Sequence, residues 1–217
     1  GHLMVTSILH GPAYSTYVRS ARLALEEKDV AYELDHFDFM EGFPPEQQAR
    51  RPFNRMPALT RGDFTLYETV AIGRYADEAF DGPSLQPGDP QGRARITRIC
   101  SLLGCYAYSP AIGKIVIERL VSPMLDWDPD EALIAAAVPE AEKAYGVLES
   151  FLAGRLFLVG DALSLADLHL APNYAYFLMT PEGEAITRKA PNLRRWWDNI
   201  KGRDAMMRTR PDFSAAG

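Results

Sequence analysis

The chain has 217 residues, 47% of them hydrophobic, enough for one large domain or two small ones with a buried core. A net charge of −6 and the lack of any Lys/Arg run argue against a nucleic-acid partner, whose phosphates demand a basic footprint. The most apolar stretch, Ala132 to Val138, is far shorter than the ~18 residues of a membrane span, and no basic start leads into an apolar signal segment.

In chain order, Gly1-His2-Leu3 before Met4 reads as a cloning remnant and is left out of fold reasoning. Val5 to Leu9 reads as a strand, Thr16 to Lys28 as a helix and Ala31 to Phe39 as a second strand. In that helix Val18, Ala21, Leu23, Ala24 and Leu25 form the apolar side, and Glu26, Glu27 and Lys28 a solvated end. A β-α-β crossover implies a parallel strand pair with the helix packed on the sheet. Pro57 to Thr60 and Phe64 to Tyr67 flank the turn residues Arg61-Gly62-Asp63, and a helix follows from Val70 to Phe80. Pro57 stands at a strand's start, where a missing N–H is tolerated, or in a cis turn that exposes neighbouring backbone groups.

Asp81 to Pro90, rich in Pro, Gly and Asp, reads as a linker between a first domain of residues 4–80 and a second of residues 91–217. The second half is helical: Gln91 to Val121, Pro129 to Ala153, Leu165 to Phe177 and Leu193 to Ile200. Cys100 and Cys105 match no zinc or Cys-x-x-Cys spacing and read as structural thiols in a reducing cytoplasm. Ser164 precedes Asp167 by three, a capping box with Leu163 and Leu168 as its hydrophobic staple, worth roughly 1 kcal/mol. A cap commits both side chains to the backbone, which disfavours a catalytic Ser164–Asp167–His169 reading.

A β-α-β-β-β-α domain, a proline opening its third strand, Glu68-Thr69 before its last helix and an all-α second half with this capping box together resemble the glutathione S-transferase family. The resemblance runs over nearly the whole chain, from about Met4 to Asp204. It implies an N-terminal thioredoxin-like α/β domain that binds glutathione, a helical domain that helps bind an electrophile, and a cytoplasmic homodimer, with no metal required. In such a domain a cis Met56–Pro57 bond turns the backbone of Met56 outward, so that its N–H and C=O pair with the cysteinyl residue of glutathione as an added strand would. Glu68 then meets the γ-glutamyl ammonium, and Thr69 with the N–H groups of the helix start holds the α-carboxylate.

Counting back from Arg22-Leu23-Ala24-Leu25, Ser15 aligns with the activating serine of the phi, tau and theta classes, and the Ser15-Thr16 pair resembles phi most. The tyrosine of the tyrosine-type classes would fall near Gly11. Ser15 is the expected catalytic residue, donating a hydrogen bond to the glutathione sulfur; Tyr14, Thr16 or Tyr17 as donor, and a plain N-cap role, are the alternatives. His10 reads as a strand end rather than a base. The sequence departs from phi where Gly42 and Phe43 replace a basic pair for the glycyl carboxylate, Arg51 an asparagine and Thr69 a serine. Arg50, Arg51 or Arg55 can take over that carboxylate, with Arg55 favoured because it precedes Met56.

Tyr106 and Tyr108 either wall the electrophile site or pack the helices, and Trp196 and Trp197 resemble the family's core. The expected activity is attack of the glutathione thiolate on a small apolar electrophile or a hydroperoxide. The alternatives are a non-catalytic scaffold on the same fold, and zeta-type isomerisation, which the absence of a Ser-Ser-Cys run at residues 14–16 disfavours.

Overall fold

Two compact units divide the chain in this computed structural model, which describes residues 4–212 and leaves Gly1-His2-Leu3 outside. The first runs to Leu85 and takes in the segment from Arg203 onward; the second spans Gln86–Gly202.

The first unit contains β1 (Ser7–His10), α1 (Thr16–Glu27), β2 (Tyr32–Asp35), the short α2 (Pro45–Gln48), β3 (Ala58–Arg61), β4 (Phe64–Tyr67) and α3 (Thr69–Ala79). The strand order is β2-β1-β3-β4. As the crossover requires, β1 and β2 are parallel, while β1–β3 and β3–β4 are antiparallel. Leu9 lies opposite Leu59, and Leu59 opposite Leu66, so one face of the sheet presents a row of leucines. Val18 and Ala21 of α1 and Ile72 of α3 close over Leu9 and Leu59 into one buried cluster.

β2 stops at Asp35, four residues short of the expected strand, because the next side chains bond elsewhere. His36 Nδ1 accepts from Ala13 N–H, and Asp38 accepts from the Tyr14 hydroxyl and from Met40 N–H. Such local bonds compete with a strand ladder.

The end of α1 is not solvated as its charges suggest. Lys28 is 5% exposed, its ammonium 3.2 Å from Asp77, and it also donates to the carbonyls of Gly82 and Pro83. Asp77 in turn accepts from Leu85 N–H, so the first half of the expected linker is tied to the first unit. Glu26 and Glu27 are covered by α10 (Asp204–Arg208) and its cap, through Arg208 and Arg203 at 2.7 Å each. The Arg19 guanidinium, also buried, donates to Met206 O and Thr209 Oγ1. These bonds draw residues 203–212 to the first unit, whereas composition assigns everything past residue 90 to the helical half. Lys28→Met is expected to cost about 3 kcal/mol in urea unfolding, since it strips the ammonium from a buried carboxylate.

The second unit holds α4 (Pro90–Leu102), π-helical segments at Leu103–Ala107 and Ser109–Val121, α5 (Ser122–Met124), α6 (Glu131–Phe151), α7 (Leu165–Phe177), α8 (Pro181–Arg188) and α9 (Pro191–Ile200). The helix expected over Gln91 to Val121 is thus bent, by 50° between Pro90–Ala107 and Ser109–Met124, where Pro110 lacks an N–H to donate. Among the described residues no single helix is long and apolar enough to cross a membrane; only this bent pair passes that test, and only taken together.

The core of the second unit is aromatic. Tyr145 and Phe177 have ring centroids 4.6 Å apart, and Trp196, fully buried, meets Tyr174 edge-on at 5.5 Å. Beside it, Asp167 accepts from Leu158 N–H, Ser164 N–H, the Ser164 hydroxyl and Trp196 Nε1. Ser164 caps α7 in the expected box, and His169, buried and pushed down to about 4 by desolvation, is a neutral core imidazole.

Candidate functional site

Three segments of the first unit converge beside the sheet. β1 ends at His10, and the chain turns through Gly11 into α1. Gly11 has φ +155°, and a Cβ there would lie 2.5 Å from Val18 Cγ2 and 3.4 Å from Met56 Cβ, so its missing side chain lets Met56 approach the start of α1. Thr69, opening α3, donates its hydroxyl to Tyr17 O at 3.0 Å, which brings residues 68–69 to the same end of α1.

Ser15 is the N-cap of α1, half-buried, with extended backbone and its Oγ accepting from Val18 N–H at 3.3 Å. A hydroxyl that accepts still has its proton to donate, so the cap and a bond to sulfur are compatible. No acidic side chain sits in the first turn of α1, leaving the positive end of the helix dipole uncompensated there. Of the alternative donors, the Tyr14 phenol already donates to Asp38 at 2.9 Å. Thr16 Oγ1 is buried without a hydrogen-bond partner among the described residues.

The Met56–Pro57 bond is cis. Among the described residues neither the N–H nor the C=O of Met56 has a hydrogen-bond partner. Glu68 occupies the cap position of α3 at φ 76°, a left-handed conformation costly for a non-glycine residue, and its exposed carboxylate caps nothing. The Thr69 hydroxyl is spent on Tyr17 O, which leaves the N–H groups of the helix start as the donors at that end.

The three arginines are separated by environment. Arg50 donates to Glu46 O, Arg51 is 3% exposed, and Arg55 is exposed, its guanidinium without a partner among the described residues. Burial pulls Arg51 down to about 10, helped by the charge of Arg50. Its guanidinium lies 5.8 Å from the ring centres of both Phe37 and Phe43, so Phe43, at the place of the expected basic pair, serves packing. His10 is 2% exposed, its Nδ1 2.6 Å from Asp35 and its Nε2 2.8 Å from Thr60. Burial pulls its pKa down against the pull of Asp35. A histidine at the end of an apolar strand gave only a weak signal of this role, because its partners lie 25 and 50 residues away.

Tyr106 and Tyr108 belong to the second unit, on and just after the first π-helical segment; Tyr106 is 69% exposed and Tyr108 half-buried.

Residues 9–84 match the family described as glutathione S-transferase, N-terminal domain, and residues 106–204 the glutathione S-transferase, C-terminal domain. Glutathione S-transferase 4 of Zea mays is 34% identical, with 91% of this chain and 88% of that protein covered. The crystal structure of glutathione transferase F7 from Populus trichocarpa superposes with a TM-score of 0.84 at 30% identity, covering 94% of this chain and 97% of the other. Glutathione S-transferase I from maize, solved in complex with an atrazine glutathione conjugate, gives a TM-score of 0.82 at 28% identity, covering 94% and 96%. A fold, a converging set of segments and a sequence match over both halves agree: the chain belongs to the glutathione S-transferase family and is a glutathione S-transferase enzyme.

Proposed function

We propose that Ser15 donates a hydrogen bond to the sulfur of bound glutathione and stabilises its thiolate for attack on a small apolar electrophile or a hydroperoxide. The observation that carries this reading is the half-buried Ser15 hydroxyl at the unopposed positive end of α1. A free thiol with a pKa near ~8.5 is mostly protonated at neutral pH, and both influences favour its anion. The thiol proton leaves to solvent; with a carbon electrophile the sulfur lone pair forms the new bond to carbon and the displaced group departs with its electron pair. With a hydroperoxide the sulfur bonds the distal oxygen as the O–O bond breaks, the alcohol leaves, and a second glutathione thiol converts the sulfenic acid to the disulfide and water. Because the serine only donates, it needs no histidine or aspartate beside it.

In this reading the unpaired N–H and C=O of Met56 bind the cysteinyl residue, the free carboxylate of Glu68 binds the γ-glutamyl ammonium, and the start of α3 at Thr69 binds the α-carboxylate. Arg55, exposed and unpaired, takes the glycyl carboxylate. Arg55→Ala is expected to raise the Kd for glutathione roughly tenfold, the loss of one charge-assisted bond; an unchanged Kd would remove Arg55 from the site. Tyr106, with its exposed ring, supplies an aromatic wall for a flat electrophile together with Tyr108. The maize relative's glutathione conjugate of atrazine, a flat heteroarene, supports that substrate class.

Phe53 at 71% and Met40 at 53% exposure leave apolar surface on the first unit that suits a homodimer, and the two free thiols suit the cytoplasm. Phe43 in place of a basic pair is the observation that favours a scaffold without turnover. Calorimetric titration with glutathione, with thiolate absorbance followed against pH, decides between them. Saturable binding with the bound thiol titrating below ~8.5 supports the enzyme site as described. No binding at millimolar glutathione overturns it.

A further inference from the structure

A line of hydrogen-bonded side chains runs beneath the loop that leads to Met56. Thr60 Oγ1 lies 2.8 Å from His10 Nε2, and His10 Nδ1 lies 2.6 Å from Asp35 Oδ2. That same oxygen accepts from Gln47 Nε2 at 2.7 Å, and Gln47 Oε1 accepts from Arg51 Nη2 at 2.9 Å. The line ends where Arg51 Nη1 donates to the backbone carbonyl of Arg55 at 2.8 Å. His10, Gln47 and Arg51 are all at least 97% buried relative to the free residue, or nearly so, at 2%, 3% and 3% exposure.

The placement of Arg51 is costly for stability alone. Its guanidinium is withdrawn from water, its hydrogen bonds go to two neutral oxygens rather than a carboxylate, and its Nε is buried with no partner among the described residues. An aliphatic side chain would fill the space between Phe37 and Phe43 at less cost. What an aliphatic chain lacks is a rigid fork whose two arms hold Gln47 and the Arg55 carbonyl at once. The Arg55 carbonyl and the Met56 N–H belong to one planar peptide group and point in opposite directions. Fixing the carbonyl therefore fixes the direction of the N–H, a donor with no partner among the described residues.

We propose that Arg51 is a positioning residue that acts through the Arg55 carbonyl to aim the Met56 N–H at the glutathione backbone. It never touches the ligand. The inference rests on the assignment of Met56 to the glutathione site made above. Arg51 makes that N–H a preorganised donor, so it governs ground-state affinity for glutathione rather than the chemical step.

The test compares wild type, Arg51→Met, Arg51→Lys and Ser15→Ala by glutathione calorimetry, by turnover of a chlorodinitrobenzene at saturating glutathione, and by the Met56 amide NMR signal during titration. Arg51→Met keeps the bulk without the donors; Arg51→Lys keeps the charge, but a single ammonium cannot reproduce the planar fork. Both are expected to weaken glutathione binding about tenfold, with kcat within about twofold of wild type and a diminished shift of the Met56 amide on binding. Wild-type affinity in Arg51→Met overturns the proposal. So does full rescue by Arg51→Lys, which would assign the effect to charge at a distance, or a fall in kcat with affinity unchanged. If Arg51→Met does not fold, Arg51→Lys carries the same decision. Wild type and Ser15→Ala that both fail to bind glutathione would bring down the site itself and this inference with it. Binding by those two alongside unaltered Arg51 variants would bring down the positioning role alone.

Discussion

Ser15→Ala is expected to lower kcat by about a hundred- to a thousandfold while changing the glutathione Kd by less than about threefold, the pattern of a donor that acts on developing or stabilised negative charge. The bound thiol should then titrate near ~8.5, as in free solution. The cap lost with the hydroxyl costs roughly 1 kcal/mol of stability, which urea unfolding measures separately from turnover. The two effects are separable because the oxygen accepts from Val18 N–H, which leaves its proton for the proposed bond to sulfur. Retention of the depressed thiol pKa in Ser15→Ala would transfer the donor role to Thr16, whose hydroxyl is buried nearby without a partner among the described residues.

The largest stability effect is expected at Asp167, in the other unit. Its two oxygens each serve two donors: Oδ1 accepts from Leu158 N–H and Trp196 Nε1, Oδ2 from the N–H and hydroxyl of Ser164. Asp167→Asn turns one of those oxygens into an NH2 that faces hydrogen-bond donors, at full burial. Breaking such a site costs about 3–5 kcal/mol, read as the fall in unfolding free energy in urea at pH 7. The pH dependence has a definite sign. Burial pushes the Asp167 carboxyl up to about 6, although the four donors pull it down. The folded value thus lies above the ~3.9 of the unfolded chain, so the proton-linked part of this group's contribution is full below ~3.9 and is lost as pH rises through about 6, while the hydrogen bonds to its four donors account for the cost at pH 7. The gap between wild type and Asp167→Asn should therefore narrow between about pH 4 and about 6 and level off above that; a gap that widened over this range would contradict the assignment.

What the sequence discloses follows the range of the interactions involved. The capping box is local, and α7 begins and ends where Ser164, Asp167 and the apolar run place it. The β3–β4 hairpin is equally local, and its strands match the expected pieces within a residue. Lys28 is different: a charged residue after two glutamates reads as solvated, and only its pairing with Asp77, 49 positions on, makes it a core residue. Arg51 is hidden for the same reason, since nothing local to Arg50, Arg51 and Arg55 says which one is folded against two phenylalanines. α8 and α10 were not expected, being short and lying among Pro, Gly and charged residues that read as breaks. At the site, Gly11 lets Met56 approach the start of α1 and Thr69 bonds to Tyr17 O, contacts between distant segments that no local pattern encodes. Tyr106 and Tyr108 lie in the other unit, where periodicity says nothing about the direction of a ring.

The return of the chain to the first unit at Arg203 bears on the order in which the protein is made. The partners of Arg19, Glu26 and Glu27 are synthesised some 180 positions after them, once the whole second unit has been made. While that unit is being made, α1 carries an arginine and two carboxylates whose partners do not yet exist. The glutathione half is therefore encoded as an interrupted element, and its borders cannot be drawn by a single cut in the gene.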